Sequence, residues 1–310
     1  MAPQKTLTAR AWAEMAILAL IWGGSFLAIR IALDELPALS SVAHRVLWAA
    51  VALWIVVLAQ RLSLPRGWRI WGAFLVMGVL NNAIPFSLMA WGQLHIETGL
   101  TAILNAATAI WGVVFAALVF ADERLTATRA LGVGLGFFGV ATAIGLGNLL
   151  AFDVRSLAQL AVVLGTVSYA VAGVWARVAI SGVAPQVAAA GMLTASAAVM
   201  VPLAWIVDGP LPFDLSLTTW GAVGYYALIS TALAYLLYYR ILAMAGSGNL
   251  LLVTLLIAPV AIVLGALVRG ENLGANAYVG FALLGLGLLL LDGRVRHLWR
   301  KTKATGTTAR

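Results

Sequence analysis

Glu123-Arg124-Leu125-Thr126-Ala127, followed by Gly132, Leu135 and Gly139, is written a second time as Glu271-Asn272-Leu273-Gly274-Ala275, followed by Gly280, Leu283 and Gly287. The offset is constant at 148 residues, and six of the seventeen positions from 123 to 139 are identical. Both copies lie between long apolar segments. Many membrane carriers are built from such repeated halves, with the solute site where the halves meet. The repeat therefore bears on fold and on function.

Composition fixes the solvent. The 310 residues are 63% hydrophobic and 10% charged, whereas an ordinary soluble domain is about 25% charged. Apolar runs of about 20 residues, the length that crosses a hydrocarbon core as a helix, recur along the whole chain. The expected class is an all-α polytopic membrane protein. The net charge of +8 does not mark a nucleic-acid binder, because the basic residues sit in short loops rather than in one patch. No cysteine is present, which excludes disulfide and thiol chemistry. The first apolar run is too long for a signal h-region, so no cleaved leader and no appended soluble domain are expected.

Ten spans are predicted, at 11–33, 38–59, 69–92, 98–120, 128–147, 156–178, 186–207, 217–240, 248–268 and 274–291. Asp34-Glu35-Leu36-Pro37, Leu64-Pro65-Arg66-Gly67 and Asp208-Gly209-Pro210-Leu211-Pro212 punctuate the gaps. An even number of spans puts both termini on one side. That side carries 15 Lys and Arg against two, Arg155 and Arg269, on the other. The positive-inside rule then makes both termini cytoplasmic in the inner membrane. Five spans per half is odd, so the second half enters upside down. The expected organisation is a first repeat at 1–150, a second, inverted repeat at 151–293 and a basic cytoplasmic tail at 294–310.

Leu20-Ile21-Trp22-Gly23-Gly24-Ser25-Phe26, followed by His44-Arg45, resembles the opening of the EamA-type transporters of the drug/metabolite transporter superfamily. Ser230-Thr231-Ala232-Leu233-Ala234-Tyr235, Tyr238-Tyr239, Ala258-Pro259 and Gly270-Glu271-Asn272-Leu273 resemble that family's carboxyl-terminal repeat. The likeness covers about 11–291 and departs at Trp111, where the proline matching Pro259 would stand. It implies ten helices, an inverted repeat, a central cavity and export of small metabolites, amino acids among them.

Candidate binding residues follow from polarity at depth. Asn81 and Asn82 lie near the middle of span three, with Pro85 one turn on; the proline frees a carbonyl as a further acceptor. The two amides either meet a polar solute or hold helices together. Thr101, Asn105 and Thr108 share one face of span four, again open to either role. Trp111, Tyr169 with Ser168, and Tyr235 with Tyr239 form an aromatic set suited to apolar or aromatic side chains. Trp48, Trp54, Trp68, Trp71, Trp205, Trp220 and Trp299 read as interfacial belt residues. Arg30, Arg45 and Glu14 are read as gating or structural, with Asp34 and Glu35 near Arg30 and a carboxylate-binding role open for Arg45. His44 is expected to be neutral and packed.

Absent signals narrow the function. No Asp or Glu stands at the middle of a span, which favours facilitated diffusion or exchange over proton antiport. Multicationic-drug export fits less well without a buried acid. Gly134-Leu135-Gly136-Phe137-Phe138-Gly139 matches the dinucleotide glycine pattern but follows no strand, so it reads as close helix packing. No P-loop, metal-ligand spacing or enzymatic cluster is present, so neither cofactor nor catalysis is expected. The expected protein is a monomeric metabolite exporter with its solute site among spans one, three, four, six, eight and nine. Large apolar or aromatic amino acids are the first expectation. A multidrug or quaternary-ammonium exporter is the alternative.

Overall fold

The computed structural model describes residues 8–121, 126–145, 153–180, 182–245 and 247–292. The first copy's Glu123, Arg124 and Leu125, as well as Lys5, Trp299 and the tail at 294–310, lie outside the described residues. Among the described residues, ten helical segments follow one another. They are α1 Ala9–Ala32, α2 Ala38–Ala59, α3 Trp68–Gln93, α4 Thr98–Val119, α5 Ala127–Ile144, α6 Val154–Ala179 and α7 Pro185–Val207. Then come α8, composed of Leu217–Gly224, Tyr225–Leu233 and Ala234–Ala245, α9 Ser247–Arg269 and α10 Ala275–Asp292. They match the ten predicted spans to within a few residues at each end, and no strand occurs among the described residues. Helix is the form in which a membrane segment satisfies its own backbone.

Caps set where the helices begin. The side chains of Thr8, Thr126, Asp153 and Ser216 accept from the backbone N–H of Ala11, Arg129, Ser156 and Thr219. Pro185 occupies the first turn of α7, where its missing N–H leaves nothing unpaired.

Three helices depart from α geometry, and these departures position the site. α3 widens into a π turn over Val79–Ala83, where the Ile84 N–H reaches back to the Val79 carbonyl. Pro85 has no N–H to give the preceding turn, which loosens the ladder there. α8 is wound as π over Tyr225–Leu233 with no proline. Here the Thr231 hydroxyl donates to the Tyr226 carbonyl at 2.7 Å, inserting a side chain into the ladder. The 148-residue offset maps 79–83 onto 227–231, so the two halves are deformed at the same place. α4 is interrupted at Ala106, where the Thr108 hydroxyl takes the Asn105 carbonyl at 2.8 Å. α9 runs unbroken through Pro259, so the departure from the repeat at Trp111 does not translate into a straighter α4.

Contacts between the halves come in reciprocal pairs. α1 packs on α9 while α6 packs on α4; α3 packs on α6 and α7 while α8 packs on α1 and α2. The closest pair is α5 with α10. A Cβ on Gly132 would lie 2.8 Å from the Gly287 carbonyl oxygen, and one on Gly287 would lie 2.7 Å from the Gly132 oxygen. Gly139 and Gly280 oppose each other in the same way, at 2.8 and 2.5 Å. Since 132 + 148 = 280 and 139 + 148 = 287, each glycine meets the repeat-equivalent of the other. Glycine is needed here because backbone meets backbone.

Carboxylates tie the halves together at the end of the bundle that holds Asp34. Asp34 accepts from Arg30 of α1 at 2.8 Å and from Arg269 of α9 at 2.6 Å. Glu97 accepts from Arg155 at 2.7 Å, Glu35 from the Ser216 N–H at 2.9 Å, and Asp208 from the Ser40 N–H at 2.8 Å. Glu271 accepts from both the N–H and the hydroxyl of Thr98 at the start of α4. Every one of these five carboxylates reaches across to the other half. The expected partnership of Arg30 with Asp34 is present, whereas Glu35 turns to Ser216. Among the described residues, the opposite end has one carboxylate that crosses, Glu14, held by Arg10 at 3.0 Å and Arg240 at 2.8 Å.

Burial pushes the Asp34 carboxyl up, but the hydrogen bonds and charges of Arg269 and Arg30 outweigh it and hold Asp34 below its usual value. A lowered carboxylate contributes stability above its unfolded value, near pH 4, and loses it as pH falls through the folded value. Asp34→Asn should therefore lower the unfolding temperature at pH 7 and converge on the wild type as pH falls through the folded value of Asp34. Because the pair is half exposed, the difference should stay under about 1 kcal/mol. Thermal unfolding of both proteins across that range checks it; a pH-independent difference would show that the charge is not what Asp34 contributes.

Candidate functional site

Sequence places Arg45 two turns into α2, about 10 Å from the helix start at 1.5 Å per residue. The fold encloses it. Its Nε donates to the Thr231 hydroxyl at 2.9 Å, and its guanidinium carbon sits 3.7 Å from the centre of the Phe86 ring. Tyr169, Tyr235 and Tyr226 are within electrostatic reach. Among the described residues, Arg45 meets no carboxylate and its two terminal nitrogens donate to no protein atom, yet both keep accessible surface.

Five N–H donors belong to a guanidinium, and the protein commits one of them. A stacked aromatic returns about 2 kcal/mol to a desolvated cation. A buried donor left unpaired costs about 1–3 kcal/mol, and more when charged. The four uncommitted donors thus require an acceptor that is not part of the chain, whether water or a solute.

Hydrogen bonds from the two deformed helices, α3 and α8, converge near this position. From the first, Asn81 Nδ2 donates to the Tyr235 hydroxyl at 3.0 Å, and that hydroxyl donates to Asn82 Oδ1 at 3.1 Å. Asn82 Nδ2 in turn donates to the Ser196 hydroxyl of α7 at 2.9 Å, and Ser196 bonds the Gly78 and Met192 carbonyls. From the second, Thr231 receives Arg45, and the Ser230 carbonyl accepts the Trp22 indole N–H at 3.1 Å. A widened turn exposes side chains and carbonyls that an α-helix would pair, and π turns recur at functional sites for that reason. Arg45, Asn81, Tyr169 and Tyr235 lie deep among packed helices but retain accessible surface. Partial exposure at that depth leaves their polar atoms within reach of a solute. Phe86 and Tyr169 meet edge to face at 6.4 Å and form an aromatic wall.

The sequence-predicted residues divide accordingly. Arg45, Asn81, Tyr169 and Tyr235 come together. Tyr239, one turn beyond Tyr235, is half-buried and packs edge-on to Tyr238 at 5.4 Å. Asn105 is half-buried at the break in α4, with no side-chain hydrogen bond among the described residues. The rest pack or bond within the protein. Asn82 is 0% exposed and holds α3 to α7 and α8. Pro85 is buried against Gly165 of α6. Thr101 is buried with its hydroxyl on the Glu97 carbonyl, Thr108 bonds Asn105, and Ser168 bonds the Leu80 carbonyl at 2.7 Å. These hydroxyls satisfy backbone acceptors instead of waiting for a solute. Trp111 packs on Phe137 at 4.6 Å, with its indole N–H buried and unpaired. Arg30 lies at the helix end with Asp34, and Glu14 is the clamp already described.

Other corrections concern the aromatics. Trp68 and Trp205 are exposed as belt residues should be, but Trp54 donates to Thr194 at 2.8 Å and Trp220 packs on His44 at 5.7 Å. His44 is buried between the Pro212 carbonyl and the Trp48 indole N–H, which leaves it packed with its ring nitrogens occupied. The site draws on α2, α3, α6 and α8, so span two takes the place expected for spans one, four and nine. Phe86, Ser196, Thr231 and Tyr226 went unread in sequence. Of these only Thr231 had a signal, the offset that pairs it with Ala83 beside Asn82.

Comparison with known proteins agrees with this architecture. The model of the EamA-like transporter family matches twice, over residues 11–145 and 156–291. A protein of Streptantibioticus cattleyicolor named a probable terminal-alkyne amino-acid exporter is 25% identical over 302 residues, 97% of this chain and 99% of that one. The uncharacterized transporter YoaV of Bacillus subtilis is 19% identical over 272 residues, 87% of this chain and 92% of its own length. Protein PagO of Salmonella typhimurium is 30% identical over 119 residues, and that match spans 38% of each chain. In fold, a solved protein crystal structure superposes with a TM-score of 0.68 at 20% identity, covering 94% of this chain and 99% of that one.

Proposed function

We propose that this chain, which belongs to the EamA-like transporter family, exports small metabolites by alternating access, amino acids first among them. The observation that carries the reading is the cluster of Arg45, Asn81, Tyr169 and Tyr235 beside the π-wound stretches of α3 and α8. It offers fixed polar groups beside an aromatic wall, the composition of a small-solute pocket. A relative named an amino-acid exporter, matched over nearly its full length, supports the solute class. Large apolar or aromatic amino acids fit the Phe86 and Tyr169 wall best.

The reciprocal contacts support an inverted pair of repeats, 1–150 and 151–293, rocking about the site. With both termini cytoplasmic in the inner membrane, the five crossing carboxylates would close the outer end, and the bundle would present its cavity inward. Facilitated diffusion or exchange fits the absence of any mid-span acid. Glu14, the one deeply buried carboxylate, is already held by Arg10 and Arg240, which leaves it poorly placed to take a cationic drug. Neither cofactor nor catalysis belongs to this reading, and a single chain suffices for it.

Purified protein in liposomes should exchange phenylalanine or leucine for preloaded unlabelled solute, saturably and with no proton gradient. If exchange appears only when a proton gradient is imposed, the facilitator mechanism is wrong. If only quaternary ammonium compounds exchange, the solute class is wrong.

A further inference from the structure

We propose that Arg45 is the anion subsite of the cavity and recognises a carboxylate of the transported solute, with Asn81 and Tyr169 beside it. This rests on the transporter reading above and adds to it the chemical group that the site selects.

Three observations converge on Arg45. First, its Nε is fixed by Thr231 at 2.9 Å and its guanidinium carbon sits over the Phe86 ring at 3.7 Å, so the group is held at two points. Second, both terminal nitrogens keep accessible surface and have no protein acceptor among the described residues. A held guanidinium presenting two parallel N–H groups matches a carboxylate in bidentate geometry. Third, six carboxylates among the described residues are engaged elsewhere. Asp34, Glu35, Glu97, Asp208 and Glu271 tie helix ends at the Asp34 end, and Glu14 is clamped at the other. An intramembrane arginine is ordinarily paired within the protein; this one is supported only by a hydroxyl and a ring.

Neighbouring groups fit the remainder of an amino acid. Asn81 Oδ1 accepts from no group among the described residues, while its Nδ2 is held by Tyr235 at 3.0 Å. It therefore offers an acceptor for a solute ammonium. The Tyr169 hydroxyl has no partner among the described residues and lies within electrostatic reach of Arg45. It can donate a second hydrogen bond to the carboxylate. A solute lacking an amine would still satisfy Arg45, so the carboxylate is the required group and the amine an additional one.

The competing account is that Arg45 only cross-links α2 to α3 and α8 through Phe86 and Thr231. The two accounts differ in discrimination between an acid and its neutral amide. In proteoliposome counterflow, wild-type protein should exchange phenylalanine at least tenfold faster than phenylalaninamide, with phenylpropionate exchanged measurably. Arg45→Gln should reduce phenylalanine exchange to the level of the amide, and Arg45→Lys should retain part of the preference. Phenylpropionate exchanged as well as phenylalanine would identify a general carboxylate carrier; its failure beside brisk phenylalanine exchange would identify a site that also demands the amine. Equal exchange of acid and amide by the wild type overturns the proposal even if Arg45→Gln does not fold. So does an Arg45→Gln protein that loses both in equal proportion, which is the cross-link result. If wild-type protein exchanges none of the three, the transporter reading for this solute class fails instead, and the two failures are told apart.

Discussion

Gly280→Leu should unfold at a much lower temperature than the wild type in mild detergent, with a loss of about 3 kcal/mol or more, the upper end of what overpacking costs. The reason lies in what the added atoms would meet. A Cβ on Gly280 stands 2.5 Å from the Gly139 carbonyl oxygen, and a Cβ on Gly139 stands 2.5 Å from the Leu284 nitrogen. These neighbours are backbone, so no side chain can rotate away; α5 and α10 must separate along their length. Close approach also carries much of the association here, because lipid is as apolar as leucine and gives no hydrophobic drive between helices. Gly134→Leu is the control on the same pair. Gly134 is exposed, and a Cβ there meets nothing within 4 Å, so it should behave as wild type. Equal melting of the two variants would mean that α5 and α10 do not meet through these glycines.

That interface was legible in sequence, because the repeated Gly132, Gly139, Gly280 and Gly287 are its contact points. The ten spans were legible for an equally simple reason: hydrocarbon thickness fixes helix length. The site was only partly so. Asn81 and Asn82 stood out as costly polar residues at depth, but neighbours on a helix point about 100° apart, and sequence does not say which one faces the cavity. Arg45 read as gating or structural, with a carboxylate-binding role open; its surroundings come from α3, α6 and α8, which sequence cannot bring together. Thr101 and Thr108 share a helical face and Ser168 adjoins Tyr169, yet their hydroxyls go to backbone carbonyls within reach. The π turn in α3 had a signal in Pro85. The one in α8 had none, since Leu233 stands at the matching position and the deformation depends on the Thr231 hydroxyl choosing the Tyr226 carbonyl.

The separation of Asn81 from Asn82 has a measurable consequence: one substitution should act on stability and the other on transport. Asn82 is 0% exposed and joins three helices. Asn82→Ala removes the acceptor of the Tyr235 hydroxyl and the donor to Ser196, and opens a cavity where the amide was. An unpaired buried donor alone costs about 1–3 kcal/mol, so the expected loss, with the cavity added, is about 2–4 kcal/mol. The protein that remains folded should still carry solute, because Asn82 is buried with both ends of its amide engaged. Asn81 is half-buried and its Oδ1 is uncommitted among the described residues. Asn81→Ala removes one donor to Tyr235, which keeps its bond to Asn82, so stability should fall by about 1 kcal/mol or less. Counterflow of amino acid, scaled to folded protein, should fall about tenfold, the equivalent of about 1.4 kcal/mol. Thermal unfolding and counterflow on the two purified variants decide the matter. The assignment fails if Asn82→Ala melts with the wild type, or if Asn81→Ala exchanges amino acid at the wild-type rate. In the first case the network through Ser196 does not hold α3 to α7, and in the second the cavity does not use the amide that borders it.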